Sequence, residues 1–273
     1  MKKTNKLIAF LAAFAACIGL DAAAAGLAQS CADIRAANPS AGDGDYIIGP
    51  NGNVFTVYCN DMAGTPAEYL TLPNTGPTTN YSKWGREILA FPSGNVFTWY
   101  TRIRIDPATL LVNVGDQTFS TSSGFDCCIG PTPIVSMPYA NASSCAGGID
   151  DGSANVDLTG LPFAVNDTFT VRGFGPIGSV NGVYGFNDFD SVTVTNAQVV
   201  NLTGGGFCGG VGPSENGGSF NAFGGFDLQL AFLGSAIGKE TCKHGGWTAF
   251  GVFKNQGDCV SFFASKGRNG PAM

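Results

Sequence analysis

The sequence predicts a mainly β fold: antiparallel, sandwich-like sheets with one or two short helices, stabilised by disulfides. Three observations predict it. Aromatic and β-branched residues recur with period two in short runs, Gly, Pro, Asn and Asp clusters punctuate those runs, and helix signals are confined to the regions near Ser30 and Asn255. Charged residues make up only 12% of the chain while Gly supplies 40 of its 273 residues. That balance fits a turn-rich globular β chain, because disordered acidic chains carry more charge and fewer aromatics.

The chain opens with MKKTNKLIAFLAAFAACIGLDAAAAG. Lys2, Lys3 and Lys6 precede an apolar run from Leu7 to Leu20, and the small residues Ala22 to Ala25 follow. This is the order of a secretory signal peptide, expected over residues 1–25 with cleavage after Ala25 and Ala28 as the second choice. A spanning helix needs roughly 20 apolar residues, more than this run offers, and no later segment qualifies. A lipoprotein reading through Cys17 is the weaker alternative, since Phe14 stands where a Leu is usual. Loss of the signal removes Lys2, Lys3, Lys6 and Asp21 and leaves a net charge near −8. Such a surface repels phosphate backbones, which argues against nucleic acid as a partner.

Next in order, SCADIRAANP predicts a short helix with Ser30 as N-cap, Asp33 at the reciprocal position and a stop before Pro39. Strands follow in DYIIG, NVFTVYC, EYLTLP, LLVNVG, DTFTVRGFG, SVTVTNAQVVNL and FDLQLAF. The run VFTWYTRIRI reads as one half-buried strand, with Phe97, Trp99, Thr101, Ile103 and Ile105 on one face and Thr98, Tyr100, Arg102 and Arg104 on the other. The segment from Gly204 to Gly225 reads as a long glycine-rich loop around Cys208. Near the end, NQGDCVSFFASKG predicts a second helix capped by Asn255, with Asp258 in its first turn, Val260, Phe263 and Ala264 on one face, and Gly267 ending it. Residues 31–233 form the main domain of this reading, and 234–273 a small disulfide-closed C-terminal unit.

Setting Cys17 aside, eight cysteines remain, and an even number in an exported chain reads as four disulfides. Cys31 on the first helix and Cys59 at a strand end are the nearest complementary partners. Joining them closes a loop of about 28 residues, a stabilisation of roughly 3–4 kcal/mol. Cys242 and Cys259 close the terminal unit. A bridge between adjacent Cys127 and Cys128 is strained, which leaves each of them bonded to Cys145 or Cys208 in an order that stays open.

The chemistry-bearing residues are sparse. His244 is the single histidine, so a zinc-protease helix with two histidines cannot be built; an exposed lone histidine is its ordinary reading and a general base the sharper one. No Gly-x-Ser-x-Gly surrounds a serine, and the glycine-rich stretch lacks the Lys-Ser/Thr ending of a phosphate cradle. The four glutamates are Glu68, Glu87, Glu215 and Glu240, and a carboxylate-based hydrolase needs two acids facing one substrate. Loop aspartates next to Gly or Asn, namely Asp43 with Asp45, Asp150 with Asp151 and Asp188 with Asp190, are the calcium candidates, without the twelve-residue helix-loop-helix spacing. Solvated turn carboxylates are their ordinary reading. Zinc on thiolates is not expected in an exported, oxidised chain, so no cofactor is expected apart from that calcium option. Tyr81, Trp84, Trp99 and Trp247 are candidate contact residues, with a core role as the competing reading of each. In VYCNDM, Cys59 is read as locking a strand end, Asp61 as capping the following turn and Met62 as packing inward.

One resemblance adds to this. The series SCADIRAANPSAGDGDYIIGPNGNVFTVYCNDM, followed by AGTPAEYLTLP, resembles the start of the GON domain. The likeness continues through TRIRIDPATLLVNVGDQTF, ANVDLTGLPFAV, GGGFCGG and LQLAF, roughly Cys31 to Phe232. The first block is also similar to the entry of fibrinogen-like domains, but those continue with a Gly-Trp-Thr block where this chain reads Pro-Ala-Glu-Tyr-Leu-Thr-Leu. The stretch CKHGGWTAFGVFKNQGDCVSFFASKGRN resembles a terminal motif of many bacterial exported and surface proteins. The GON resemblance implies the terminal module of secreted animal metalloproteases with thrombospondin repeats, found also in bacterial exported proteins. It carries no catalytic residues, and the protease chemistry of those proteins belongs to a separate zinc domain. The expectation is a secreted, non-catalytic binding or structural module whose partner is extracellular matrix, a cell-surface protein or a glycan. A calcium-assisted glycan binder of fibrinogen-like type is the alternative.

Overall fold

The computed structural model describes residues 26–85, 94–126, 133–144, 152–173, 191–204, 209–214, 225–235, 237–265 and 269–271. The expected signal segment 1–25, Cys127, Cys128, Cys145, Cys208, Asp150, Asp151, Asp188, Asp190, Glu87, Glu215 and Gly267 lie outside the described residues.

Helix α1 (Cys31–Ala37) forms where its caps dictate. Ser30 Oγ accepts the Asp33 N–H, and the Asp33 carboxylate accepts the Gln29 N–H in return. The helix buries Cys31 and Ile34.

A seven-stranded antiparallel sheet follows from the alternating runs. Its strands are β1 (Gly44–Ile48), β2 (Phe55–Asn60), β3 (Ala67–Thr71), β6 (Arg102–Asp106), β7 (Leu111–Asn113), β16 (Leu228–Phe232) and β11 (Phe163–Val165), adjacent in that order. The second sheet has nine strands. β12 (Phe169–Gly173), β15 (Gly209–Pro213), β9 (Ala142–Ser144), β4 (Tyr81–Gly85), β10 (Gly152–Asp157), β14 (Val199–Gly204) and β13 (Ser191–Val194) run across it, while β5 (Val96–Tyr100) pairs with β4 and with β8 (Ser120–Ser123). Among the described strands every pairing is antiparallel except β4 with β9.

The two sheets share one core. Phe55, Val57, Leu70, Ile103, Ile105, Val112, Phe163 and Leu228 from the first meet Tyr100, Ala154, Val156, Val200, Leu202 and Val211 from the second. Phe55 packs edge-on against Phe163 with centroids 5.0 Å apart. The predicted mainly β, sandwich-like class is the observed one.

Several details of the strand reading are corrected. VFTWYTRIRI is two strands in two sheets, not one. Val96, Thr98 and Tyr100 are buried in β5, whereas Ile103 and Ile105 are buried in β6, so the inward parity switches at Thr101. The Thr101 N–H donates to the Phe119 carbonyl, and its own carbonyl accepts from Leu72 N–H, which carries the chain from one sheet to the other. SVTVTNAQVVNL is likewise a hairpin, β13 to β14, turning through Asn196, whose Oδ1 accepts the Gln198 and Val199 N–H groups. Within the supposed glycine loop, Gly209–Pro213 is a fully buried strand. A Cβ on Gly210 would fall 2.2 Å from Ser143 Oγ, so glycine is what lets β15 lie against β9.

A second core lies toward the C-terminus. Phe250, Phe253 and Phe262 pack with Cys242, Cys259, Leu27 and Ile47. Helix α2 (Gln256–Ala264) is capped by Asn255, whose Oδ1 accepts the Asp258 N–H at 2.9 Å. Its buried residues are Cys259 and Phe262, while Val260 and Phe263 are half-buried and Ala264 is exposed. The inward face is therefore rotated from the expected one, because the bridge to Cys242 turns Cys259 toward the core.

Candidate functional site

The stretch VYCNDM lies where β2 ends. Cys59 is buried and bonded to Cys31, with Cα atoms 5.6 Å apart, and Cys242 is bonded to Cys259 at 5.7 Å. Asp61 adopts φ of 55°, and its Oδ2 accepts the Thr65 N–H at 2.9 Å. Met62 is fully buried, and its N–H donates to Asp43 Oδ1 at 2.7 Å. Asp43 thus ties one loop to another, and Asp45 is exposed on β1. Among the described residues no three His, Cys, Asp or Glu side chains gather closely enough to hold a metal ion.

A cleft of about 710 Å³ opens beside α1 and β6, lined by Glu68, Arg104, Asp106, Asn113 and Asp227 among others. Three carboxylates in one opening could serve acid–base chemistry, but each already holds backbone. Glu68 Oε1 accepts the Cys31 N–H at 2.6 Å, supporting the start of α1 from a neighbouring strand. Asp106 Oδ1 accepts the N–H groups of Ala108 and Thr109, and Asp227 Oδ1 accepts that of Val114. Burial pushes the Glu68 carboxyl above its usual range, against the pull of the Cys31 N–H and Arg104. His244 is not among the residues lining this cleft: it is exposed on the 3-10 segment Lys243–Phe250, with φ of 52° and no hydrogen bond to a described residue.

The outward face of the nine-stranded sheet brings aromatic rings together. Alternation along β4 and β5 turns Ser82, Trp84, Val96, Thr98 and Tyr100 inward and leaves Tyr81, Lys83, Phe97 and Trp99 half-buried on the outside. Phe97 and Trp99 stack at 5.5 Å with planes 6° apart, and Tyr81 stands 6.4 Å from Phe97. Two hydrogen bonds and a cation–π contact fix the strip. Trp99 Nε1 donates to the Pro77 carbonyl, Tyr81 Oη donates to Ser153 Oγ, and the Lys83 ammonium sits 5.7 Å over the Phe97 ring. The register continues through Asn155, whose Nδ2 donates to Asn201 Oδ1 at 2.8 Å, and Thr203. Aromatic faces beside amides and hydroxyls suit a ligand with both C–H surface and polar edges.

Of the four aromatic candidates, Tyr81 and Trp99 are cross-strand partners in this strip. Trp84 is fully buried, its Nε1 donating to Asp126 Oδ2 at 2.7 Å, so it is a core residue and not a contact residue. Trp247 packs half-buried in the C-terminal core, apart from the other three. Phe97 and Lys83 escaped the sequence reading. The alternation within VFTWY carries Phe97, but extending that alternation past Thr101 put it on the same face as Ile103.

Residues 28–95 match the GON domain family. The matched segment supplies α1 and β1 to β3 of one sheet and β4 of the other, so its partner strands β6, β5, β9 and β10 come from beyond it. A human protein, "A disintegrin and metalloproteinase with thrombospondin motifs 20", is 25% identical over 161 residues, 51% of this chain and 8% of that protein. The chain thus spans less than a tenth of that relative's length. No solved structure matches. A GON-like module without the protease portion is what these likenesses support.

Proposed function

We propose that this chain is an exported, extracellular module that binds and does not catalyse, and that the Tyr81–Phe97–Trp99 strip is its contact face. The strip itself carries the reading: three rings are held on an outward sheet face by their own hydrogen bonds and stacking, where a core role does not explain them. The GON likeness and the two disulfides among the described residues support an oxidising, extracellular setting. No helix among the described residues is long and apolar enough to cross a membrane. The partner is a matrix or cell-surface protein or a glycan. Arrays of matrix proteins and glycans, probed with the purified chain lacking residues 1–25, test this with and without calcium. Trp99→Ala and Tyr81→Ala should each weaken any captured ligand about tenfold or more. Full retention of binding by both variants would remove the strip from the account.

A carboxylate hydrolase is the second reading, favoured by the cleft that gathers Glu68, Asp106 and Asp227. The backbone bonds on all three oppose it. Turnover of a glycan that disappears in Glu68→Gln would establish it in place of the first.

A further inference from the structure

The outward face of the seven-stranded sheet carries a different chemistry, independent of the aromatic strip. β6 buries Ile103 and Ile105 and turns Arg102 and Arg104 outward. Residues two apart on a strand stand about 7 Å from each other, so two guanidinium stems rise side by side. Arg102 is held unusually well for a surface side chain. Its guanidinium carbon lies 3.9 Å from the Tyr58 ring centroid and 4.8 Å from that of Phe119, and its Nε donates to Thr71 Oγ1 at 3.0 Å. Tyr58 and Phe119 in turn lock edge-to-face at 5.6 Å, and Phe119 packs against Tyr69 at 4.8 Å.

These contacts use one face and one N–H of the guanidinium. Among the described residues, Nε to Thr71 is the hydrogen bond Arg102 makes, and its paired Nη groups have no partner there. Arg104 has a carboxylate partner, Asp116 Oδ2 at 3.4 Å, which also accepts from Tyr69 Oη. Asp45 flanks Tyr58 across β1 and β2 and makes no ion pair with either arginine. Arg104 is thus balanced by Asp116 and lies near Glu68 and Asp106, whereas Arg102 makes no ion pair among the described residues, on a chain whose formal net charge is −6. The surrounding surface is hydroxyl-bearing: Thr56 and Thr71 are exposed, and Tyr58 Oη makes no hydrogen bond to a described residue.

We propose that Arg102, with Arg104 beside it, binds the carboxylate or sulfate groups of an acidic glycan. Charge complementarity selects the anion, because an unpaired guanidinium edge donates two parallel N–H bonds to an oxyanion. The rings and Thr71 orient that edge in advance, so little side-chain entropy is lost on binding. The flanking hydroxyls match the hydroxyl groups of a sugar, and the acidic remainder of the chain repels polyanions from other faces.

The test uses the chain lacking residues 1–25 on a sensor surface. Probes are a sulfated uronic-acid hexasaccharide, its desulfated form, neutral cellohexaose and an oligoglutamate peptide. The sulfated probe should bind, more weakly as salt rises, while cellohexaose and the peptide should not bind at this face. Arg102→Gln should lose about tenfold or more, Arg102→Lys should recover less than half of that loss, and Thr71→Val should lose about two- to fivefold. Lys254→Gln, an equal change of charge in the C-terminal region, should bind as wild type. Thermal melts report whether Arg102→Gln folds; if it does not, Arg102→Lys and Thr71→Val decide. Wild-type affinity in all folded variants overturns the proposal, as does failure of both acidic oligosaccharides to bind. Equal binding of the peptide overturns the glycan as partner. Loss of binding in Trp99→Ala but not in Arg102→Gln would move the ligand to the opposite sheet.

Discussion

The sandwich and the C-terminal segment are held together by different means. The sandwich draws its core from two sheets and α1, burying Phe55, Leu70, Tyr100, Ile103, Val156 and many more, with the Cys31–Cys59 bridge at one margin. The C-terminal segment has one short helix and an irregular 3-10 stretch around Phe250, Phe253 and Phe262, and borrows Leu27 and Ile47 from elsewhere. The difference teaches where a covalent link matters. A large core stabilises its own backbone, whereas a small one needs a staple, since the apolar area available falls faster than the chain entropy to be overcome.

The largest test of that contrast is a truncation in each core. Phe55→Ala should cost about 3–5 kcal/mol of global stability, read from urea unfolding, because Phe163 and Phe232 lose a shared ring contact. Phe250→Ala should leave the sandwich transition near its wild-type midpoint and expose residues 237–265 to limited proteolysis. Next in size, replacing both Cys242 and Cys259 by Ser should cost the terminal segment about 3 kcal/mol, seen as loss of amide-exchange protection in α2 with the sheet amides unchanged. A concerted collapse of both regions would erase the distinction.

The smallest effect concerns Glu68, on the sandwich side. Burial raises its folded pKa above the ordinary 4.5. An acid of raised pKa holds its proton more tightly when folded, so its contribution to stability is present below 4.5 and is lost as pH rises through the higher folded value. Glu68→Gln keeps an acceptor for the Cys31 N–H but cannot ionise. It should melt above wild type at neutral pH and alongside it at pH well below 4.5, with the melting curves at each pH as the check. A wild-type advantage at neutral pH would show that the charged Cys31 contact outweighs burial.

What the sequence made legible follows a physical line. Caps are local, so Ser30 and Asn255 could be read from their neighbours, and strands with one wet face announced themselves by alternation, as in β2 and β6. Strands buried by close backbone approach did not. Gly209–Pro213 has almost no side chains to alternate, and Ala142–Ser144 is equally small, since these two strands fill space with backbone. The aromatic strip was half legible: Tyr81 and Trp99 stood out by type, but their pairing depends on a register set by contacts far along the chain. The anchored Arg102 was not legible at all, because Phe119 and Thr71 reach it from separate loops and strands.

Thr101 has a further consequence. Because the chain changes sheets there, the outward positions pass from odd to even: Phe97 and Trp99 face out from one sheet, Arg102 and Arg104 from the other, while Thr98, Tyr100, Ile103 and Ile105 are buried. A single inserted residue just after it would invert every position in β6, sending Ile103 and Ile105 into water and two guanidinium groups into the hydrocarbon interior. The length of this crossing, rather than the identity of any side chain in it, is what keeps an aromatic surface and an arginine-bearing one on different sheets of the same protein.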